Sequence, residues 1–372
     1  MFNSADLSHL FNGRRRSTIS LLNLLSISLL IFSFFQIGLV KPISAHNPLY
    51  NNIFLPSQLQ NNERSDDNLQ LRTCTKVNPS LYYRPVIGIL SHPGDGASGR
   101  YSNATTASYI PASYVKFVES AGARVIPLIY NDPPEVLEEK MGLVNGVIFT
   151  GGRVRDGLYY SVAEKIFQQI LSRNEAGDYV PLYGISLGFQ IISAMVSQRN
   201  DIIETFNATR FPSALKFNDF ANIRGTVIQR VPLSLRIRTT KDCITWENHK
   251  YGISPETFEQ DERLSDFFQI LTTSVDKNNK VYVSTANARN YPITIFQWNP
   301  EKNSYEWGIS TIPHTEYAIE LTHHVAHHLV SEARRSINQP PAEKVLEKLI
   351  YNYSPIYNGK AGKGYDQVYL FE

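Results

Sequence analysis

A series of short, continuous apolar runs sets the pattern of this chain. They are Val86-Ile87-Gly88-Ile89-Leu90, Val125-Ile126-Pro127-Leu128-Ile129, Gly146-Val147-Ile148-Phe149, Val180-Pro181-Leu182-Tyr183 and the stretch 292–298. Runs of this length with no polar alternation predict strands buried on both faces. Helical spacing separates them. Tyr114, Val118 and Ala121 share one side of a segment from Tyr109 to Ala121, with Gly122 as its stop. A second helix is predicted from about residue 160 to 171, and a long one from Glu316 to Ser336. Beyond about Arg210 the pattern breaks into short strand-like pieces before the last apolar run. Strands alternating with helices predict an α/β domain with a mostly parallel sheet covered on both faces, spanning residues 81–372.

The first 80 residues follow a different pattern. Arg14, Arg15 and Arg16 precede an apolar stretch from about Ile19 to Val40, and Ile43-Ser44-Ala45 offers small residues for cleavage. This is the layout of a secretory signal peptide over residues 1–45. The stretch is also long enough to act as an uncleaved membrane anchor. Residues 46–80, rich in Asn, Gln, Ser and Asp, read as a linker or poorly ordered segment. Secretory entry would make Asn103, Asn207 and Asn352 usable glycosylation acceptors and would permit Cys74 and Cys243 to pair. Vacuolar or extracellular residence is the expected destination.

Composition narrows the partners. Hydrophobic residues at 42% and charged residues at 19% are ordinary for a globular chain. A net charge of +2 without a basic stripe argues against nucleic acid as a ligand.

Candidate chemistry falls where the predicted strands end, which is where open α/β sheets bind ligands. Gly184-Ile185-Ser186-Leu187-Gly188 follows an apolar run and precedes a helix-like segment. That is the strand-turn-helix layout of a nucleophile elbow, which holds one side chain above the sheet edge. The backbone N–H groups of Gly152 and Leu187 are candidate oxyanion donors. Asn299-Pro300-Glu301 follows the last core strand, and His92, a candidate substrate-binding residue, lies in the loop after the first. His323, His324, His327 and His328 form i,i+4 pairs on the long helix, yet no third ligand accompanies them, so no metal site is predicted. The short G-x-S-x-G motif also fits the α/β-hydrolase elbow, with His314 or a later histidine as base.

The wider series of motifs favours another family. His92-Pro93-Gly94-Asp95-Gly96, Phe149-Thr150-Gly151-Gly152, Gly184-x-Ser186-Leu187-Gly188-Phe189, His249-Lys250-Tyr251, Gln297-Trp298-Asn299-Pro300-Glu301-Lys302 and Tyr305-Glu306-Trp307 resemble the gamma-glutamyl hydrolases, most closely their plant forms. The resemblance runs from about Pro85 to Tyr369-Leu370-Phe371. It implies a class I glutamine amidotransferase-like, flavodoxin-like three-layer sandwich, folylpoly-gamma-glutamate as substrate, no cofactor, and a homodimer or a pairing with an active homologue. It also implies a cysteine nucleophile where this chain has Ser186 and a histidine base where it has Asn299. Glu301 matches the triad acid, His249 a histidine of the substrate pocket, and Gln190 a pocket position often held by glutamate.

Three functional expectations follow. With nucleophile and base both exchanged, the chain is expected to be a pseudoenzyme that binds a gamma-glutamyl compound, a folate or a partner. Alternatively, Ser186 is activated by His249 with Glu301 assisting, on a gamma-glutamyl or other acyl substrate. The third expectation is ordinary folylpoly-gamma-glutamate hydrolysis.

Overall fold

A computed structural model of the protein describes residues 77–96, 106–358 and 365–372. All belong to one compact unit, Lys76–Glu372. The expected signal peptide, most of the linker, Asn103 and Cys74 lie outside the described residues.

An eight-stranded sheet organises the domain, in the order β4-β1-β5-β6-β12-β11-β10-β8. Here β1 is Val86–Leu90, β4 Arg124–Leu128, β5 Gly146–Phe149, β6 Leu182–Ile185 and β12 Ile293–Phe296. These neighbours run parallel. The edge formed by β11 (Val281–Ala288), β10 (Phe268–Val275) and β8 (Lys216–Phe217) is antiparallel. All five predicted apolar runs lie in the parallel part.

Side-chain alternation divides those runs between two cores. Val147, Phe149 and Leu182 pack with Val162, Ile166, Ile191 and Met195 on one face. Ile89, Ile148, Tyr183 and Ile185 pack with Tyr114, Val118, Leu321 and Val325 on the other. The result is the three-layer α/β sandwich implied by the resemblance. Burying each such aliphatic side chain contributes about 1.5–3 kcal/mol, which explains why polar residues are rare in the runs. Thr294 in β12 is buried with its hydroxyl donating to Asn287 Oδ1 over 2.8 Å.

Local boundaries correct several sequence expectations. Tyr109 is not helical: Ser108–Pro111 forms β3, and helix α1 is Ala112–Ser120. The residue before a proline is driven towards extended geometry, so Ile110 stays in the strand and Pro111 becomes the helix N-cap. The expected stop holds, with Gly122 at φ +86° and its N–H on the Glu119 carbonyl. β6 begins at Leu182 rather than Val180. The helix expected from 160 to 171 extends over Gly157–Glu175, and the long C-terminal helix ends at Ala333. Beyond Arg210 the strands are interspersed with short helices, Val227–Arg230, Leu233–Lys241, Pro255–Gln260 and Glu262–Phe267. They are too short to show a clear period in sequence.

Two smaller sheets border the C-terminal ends of the parallel strands. One orders β13 (Ile356–Tyr357), β14 (Gln367–Phe371), β3 and β2 (His92–Pro93). The other pairs β7 (Glu204–Ser213) with β9 (Thr245–Gly252), which carries His249.

Candidate active site

Ser186 has φ +57° and ψ −100°, a strained conformation for a residue with a side chain. It caps the elbow helix, Leu187–Ser197, and its own N–H donates to the Phe296 carbonyl over 2.7 Å. The elbow glycines allow this sharp turn. A Cβ on Gly188 would sit 2.4 Å from the Phe149 carbonyl oxygen, so only glycine lets the helix start this close to β5. Among the described residues the Ser186 hydroxyl has no hydrogen-bond partner, and it retains contact with solvent.

The register of the sheet gathers the remaining parts. Phe149 pairs with Gly184, and Ile185 pairs with Phe296, so Gly151, Ser186 and Asn299 emerge at the same edge from three adjacent strands. A Cβ on Gly151 would lie 3.4 Å from that of Ser186. The Gly151 N–H already donates to the Tyr114 hydroxyl at 2.8 Å. Of the candidate oxyanion donors, Gly152 follows Gly151 on the same loop and Leu187 opens the elbow helix, where N–H groups lack intrahelical acceptors.

His92 supports this loop from beneath. Its Nε2 accepts from the N–H groups of Arg153 (2.9 Å) and Val154 (3.1 Å), and its Nδ1–H donates to the Pro93 carbonyl (2.8 Å). Two donors on Nε2 require a neutral ring. Burial holds its pKa down to about 4. A Cβ on Gly152 would fall 2.0 Å from the ring. His92, expected to contact substrate, thus has both nitrogens engaged within the protein and shapes the Gly-Gly loop.

Asn299 Nδ2 donates to Glu301 Oε1 over 3.1 Å, and both side chains are buried. Burial raises the Glu301 pKa, and the Lys302 ammonium 3.9 Å from Oε1 opposes that rise. Lys302 also lies 3.9 Å from Glu306 and above the Tyr365 ring. Tyr114 faces the same carboxylate: burial, then the Glu301 charge, pushes the phenol well above its usual pKa. Tyr114 and Lys302 therefore join the Gly-Gly loop to the acid, and sequence reading missed both roles. Tyr114 is separated from its partners by many residues, and Lys302 sits in a motif whose other members drew the attention.

His249 does not join Ser186, Asn299 or Glu301 through a hydrogen bond. Its Nε2 lies 3.3 Å from Glu247 Oε2, and its Nδ1 donates to the Tyr251 carbonyl at 3.1 Å. Gln190, one helical turn beyond Ser186, donates its Nε2–H to that same carbonyl at 2.9 Å. The elbow helix and the His249 strand are thus tied together through the main chain of Tyr251. Glu247, buried beside His249, is a further polar group that sequence reading overlooked.

The other candidates lie apart from this constellation. His328 is buried, with Nδ1 2.6 Å from the Tyr183 hydroxyl; His324 faces Glu320, and His323 faces the Tyr305 ring. Asn207 and Asn352 are exposed, as is Cys243.

Comparison with known proteins identifies the family. The Peptidase C26 family model matches residues 85–199, which include the Gly-Gly loop and the elbow. The chain is 55% identical over 319 residues to gamma-glutamyl hydrolase 2 of Arabidopsis thaliana, covering 86% of this chain and 90% of that one. It is 55% identical over 334 residues to gamma-glutamyl hydrolase 1 of the same plant, covering 90% and 93%. With the gamma-glutamyl hydrolase of Glycine max the identity is 53% over 323 residues, covering 87% and 92%. With this identity sustained over most of both chains, and an elbow at the end of β6, the chain belongs to the gamma-glutamyl hydrolase family.

Proposed function

We propose that this chain binds gamma-glutamyl compounds, including folylpolyglutamates, at the Ser186 edge of the sheet and hydrolyses them far more slowly than a site with cysteine and histidine would. The hydrogen bond from Asn299 to Glu301 carries this reading. In the pattern that the chain resembles, position 299 is the histidine that takes and returns protons. A carboxamide donates and accepts hydrogen bonds but does not accept a proton near neutral pH. A serine hydroxyl, unlike a cysteine thiol, is almost wholly protonated there and requires an adjacent base to attack an amide. In a serine protease the loss of nucleophile or base lowers turnover by roughly a millionfold, and losing both adds little. Oxyanion donors and binding alone sustain a residual acceleration of roughly a thousandfold over water.

A second reading, ordinary gamma-glutamyl hydrolysis, draws support from a different observation. Ser186 keeps the strained backbone of a working elbow and an accessible hydroxyl, and the similar plant proteins are named gamma-glutamyl hydrolases. Activation of Ser186 by His249 has less support, since no hydrogen bond joins the two and the imidazole stands beside the buried Glu247 carboxylate, 3.3 Å from its Nε2. The N-terminal basic and apolar stretch supports delivery into the secretory pathway, towards the vacuole or the cell exterior.

Incubating the purified protein with pteroylpentaglutamate and resolving the products by chain length separates the two readings. Slow or absent cleavage, together with saturable binding, agrees with the first. Turnover matching that of the Arabidopsis relatives measured in parallel establishes the second.

A further inference from the structure

We propose that Arg155, braced on the ring of Tyr251, is the residue that recognises the α-carboxylate of a gamma-linked glutamate chain at the mouth of the Ser186 site. The inference rests on the gamma-glutamyl reading above. Arg155 lies four residues beyond Gly151, on the loop that carries Gly152, one of the two candidate oxyanion donors. Its guanidinium stands 3.9 Å from the centroid of the Tyr251 ring. The ring is partly open to solvent, while the carbonyl of the same residue holds Gln190 of the elbow helix and His249. Arg155 thus joins the segment after the Gly-Gly pair to β9, the strand that carries His249 and Tyr251.

The chemistry of this bridge points to a carboxylate. Among the described residues neither Arg155 nor its neighbour Arg153 forms an ion pair, and no side-chain hydrogen bond from Arg155 to the protein is present. Stacking on an aromatic face fixes the plane of a guanidinium and leaves the N–H groups along its edge free. That edge matches a carboxylate in a two-pronged hydrogen bond. A gamma-linked glutamyl unit presents such a carboxylate on the α-carbon, a few bonds from the side-chain amide that would lie over Ser186. The same amide in an α-linked peptide carries its free carboxylate at the end of the side chain, so an arm at this place distinguishes the two linkages.

The test is calorimetric titration of the full mature chain with tri-γ-L-glutamate and with the same chain carrying α-carboxamides. The wild-type protein is expected to bind the acid at least about tenfold more tightly than the carboxamide. In R155Q, checked for an unchanged melting temperature, the two ligands should bind alike. Equal affinities in the wild-type protein, which need no variant to fold, would overturn the assignment of Arg155. So would an acid preference that survives in R155Q. Failure of the wild-type protein to bind either tripeptide or pteroylpentaglutamate would instead overturn the gamma-glutamyl reading, and the role of Arg155 with it.

Discussion

The carboxamide of Asn299 points its N–H at Glu301 Oε1, 3.1 Å away, just beyond β12, the strand that pairs with the one leading into the Ser186 elbow. Under the proposed function, the bond preserves half of a catalytic relationship. A side chain at the base position is still oriented by the acid, but that side chain has no proton-accepting nitrogen. The strained elbow, the Gly-Gly loop and the buried acid all persist around it. In that proposed function the decisive differences lie at Ser186 and Asn299, where the resemblance implies cysteine and histidine.

Strain at Ser186 predicts a trade between stability and chemistry. A non-glycine residue in such a sparsely populated backbone region costs on the order of 1–3 kcal/mol. Ser186→Gly should relieve about 1 kcal/mol of this, since glycine also brings a more flexible unfolded chain. Urea denaturation should show a higher midpoint for the variant, and any residual cleavage of pteroylpentaglutamate should disappear. A lower midpoint would mean that the serine side chain contributes more than the backbone costs.

His92 predicts a definite pH dependence. Its pKa falls from about 6.5 in the unfolded chain to about 4 in the folded one, so the unfolded state binds more protons between those values. The stabilisation is complete above pH 6.5, declines as the pH falls, and is lost by about pH 4, an effect of about 3 kcal/mol at most. In His92→Gln the amide oxygen can accept the same backbone donors without titrating. Denaturation midpoints of this variant should vary less than those of the wild-type protein from pH 6.5 to 4. Parallel profiles would exclude His92 as the source.

Tyr114 is expected to hold the oxyanion loop. Tyr114→Phe leaves the buried Gly151 N–H without its acceptor, which costs about 1–3 kcal/mol. Hydrogen exchange should quicken at Gly151 and its neighbours while the strands of the central sheet remain protected. Uniform loss of protection would show that the tyrosine supports the whole core instead of this loop.

Legibility of the site in sequence follows contact range. Ser186 and the pair Asn299 and Glu301 stand in short contiguous motifs after apolar runs, so their place at the sheet edge could be read directly. The parallel strands were equally plain because each is buried on both faces. Tyr114 could not be assigned this way, since its role exists only when Gly151, 37 positions away, folds against it. His92 was placed near the site, but its inward use depends on N–H groups some 60 residues distant. The pairing of His249 with Glu247 was hidden for a subtler reason. Alternate residues on a strand share a face, yet nothing in the sequence shows that this face is closed to solvent.

The central claim is that two side chains separate this site from an efficient hydrolase. Its most direct test is the rate of pteroylpentaglutamate cleavage by the wild-type protein and by the folded double variant Ser186→Cys, Asn299→His. The account predicts negligible turnover for the wild-type protein and a gain of at least about a thousandfold in the double variant, since nucleophile and base act as a unit. Wild-type turnover equal to that of the double variant would contradict it.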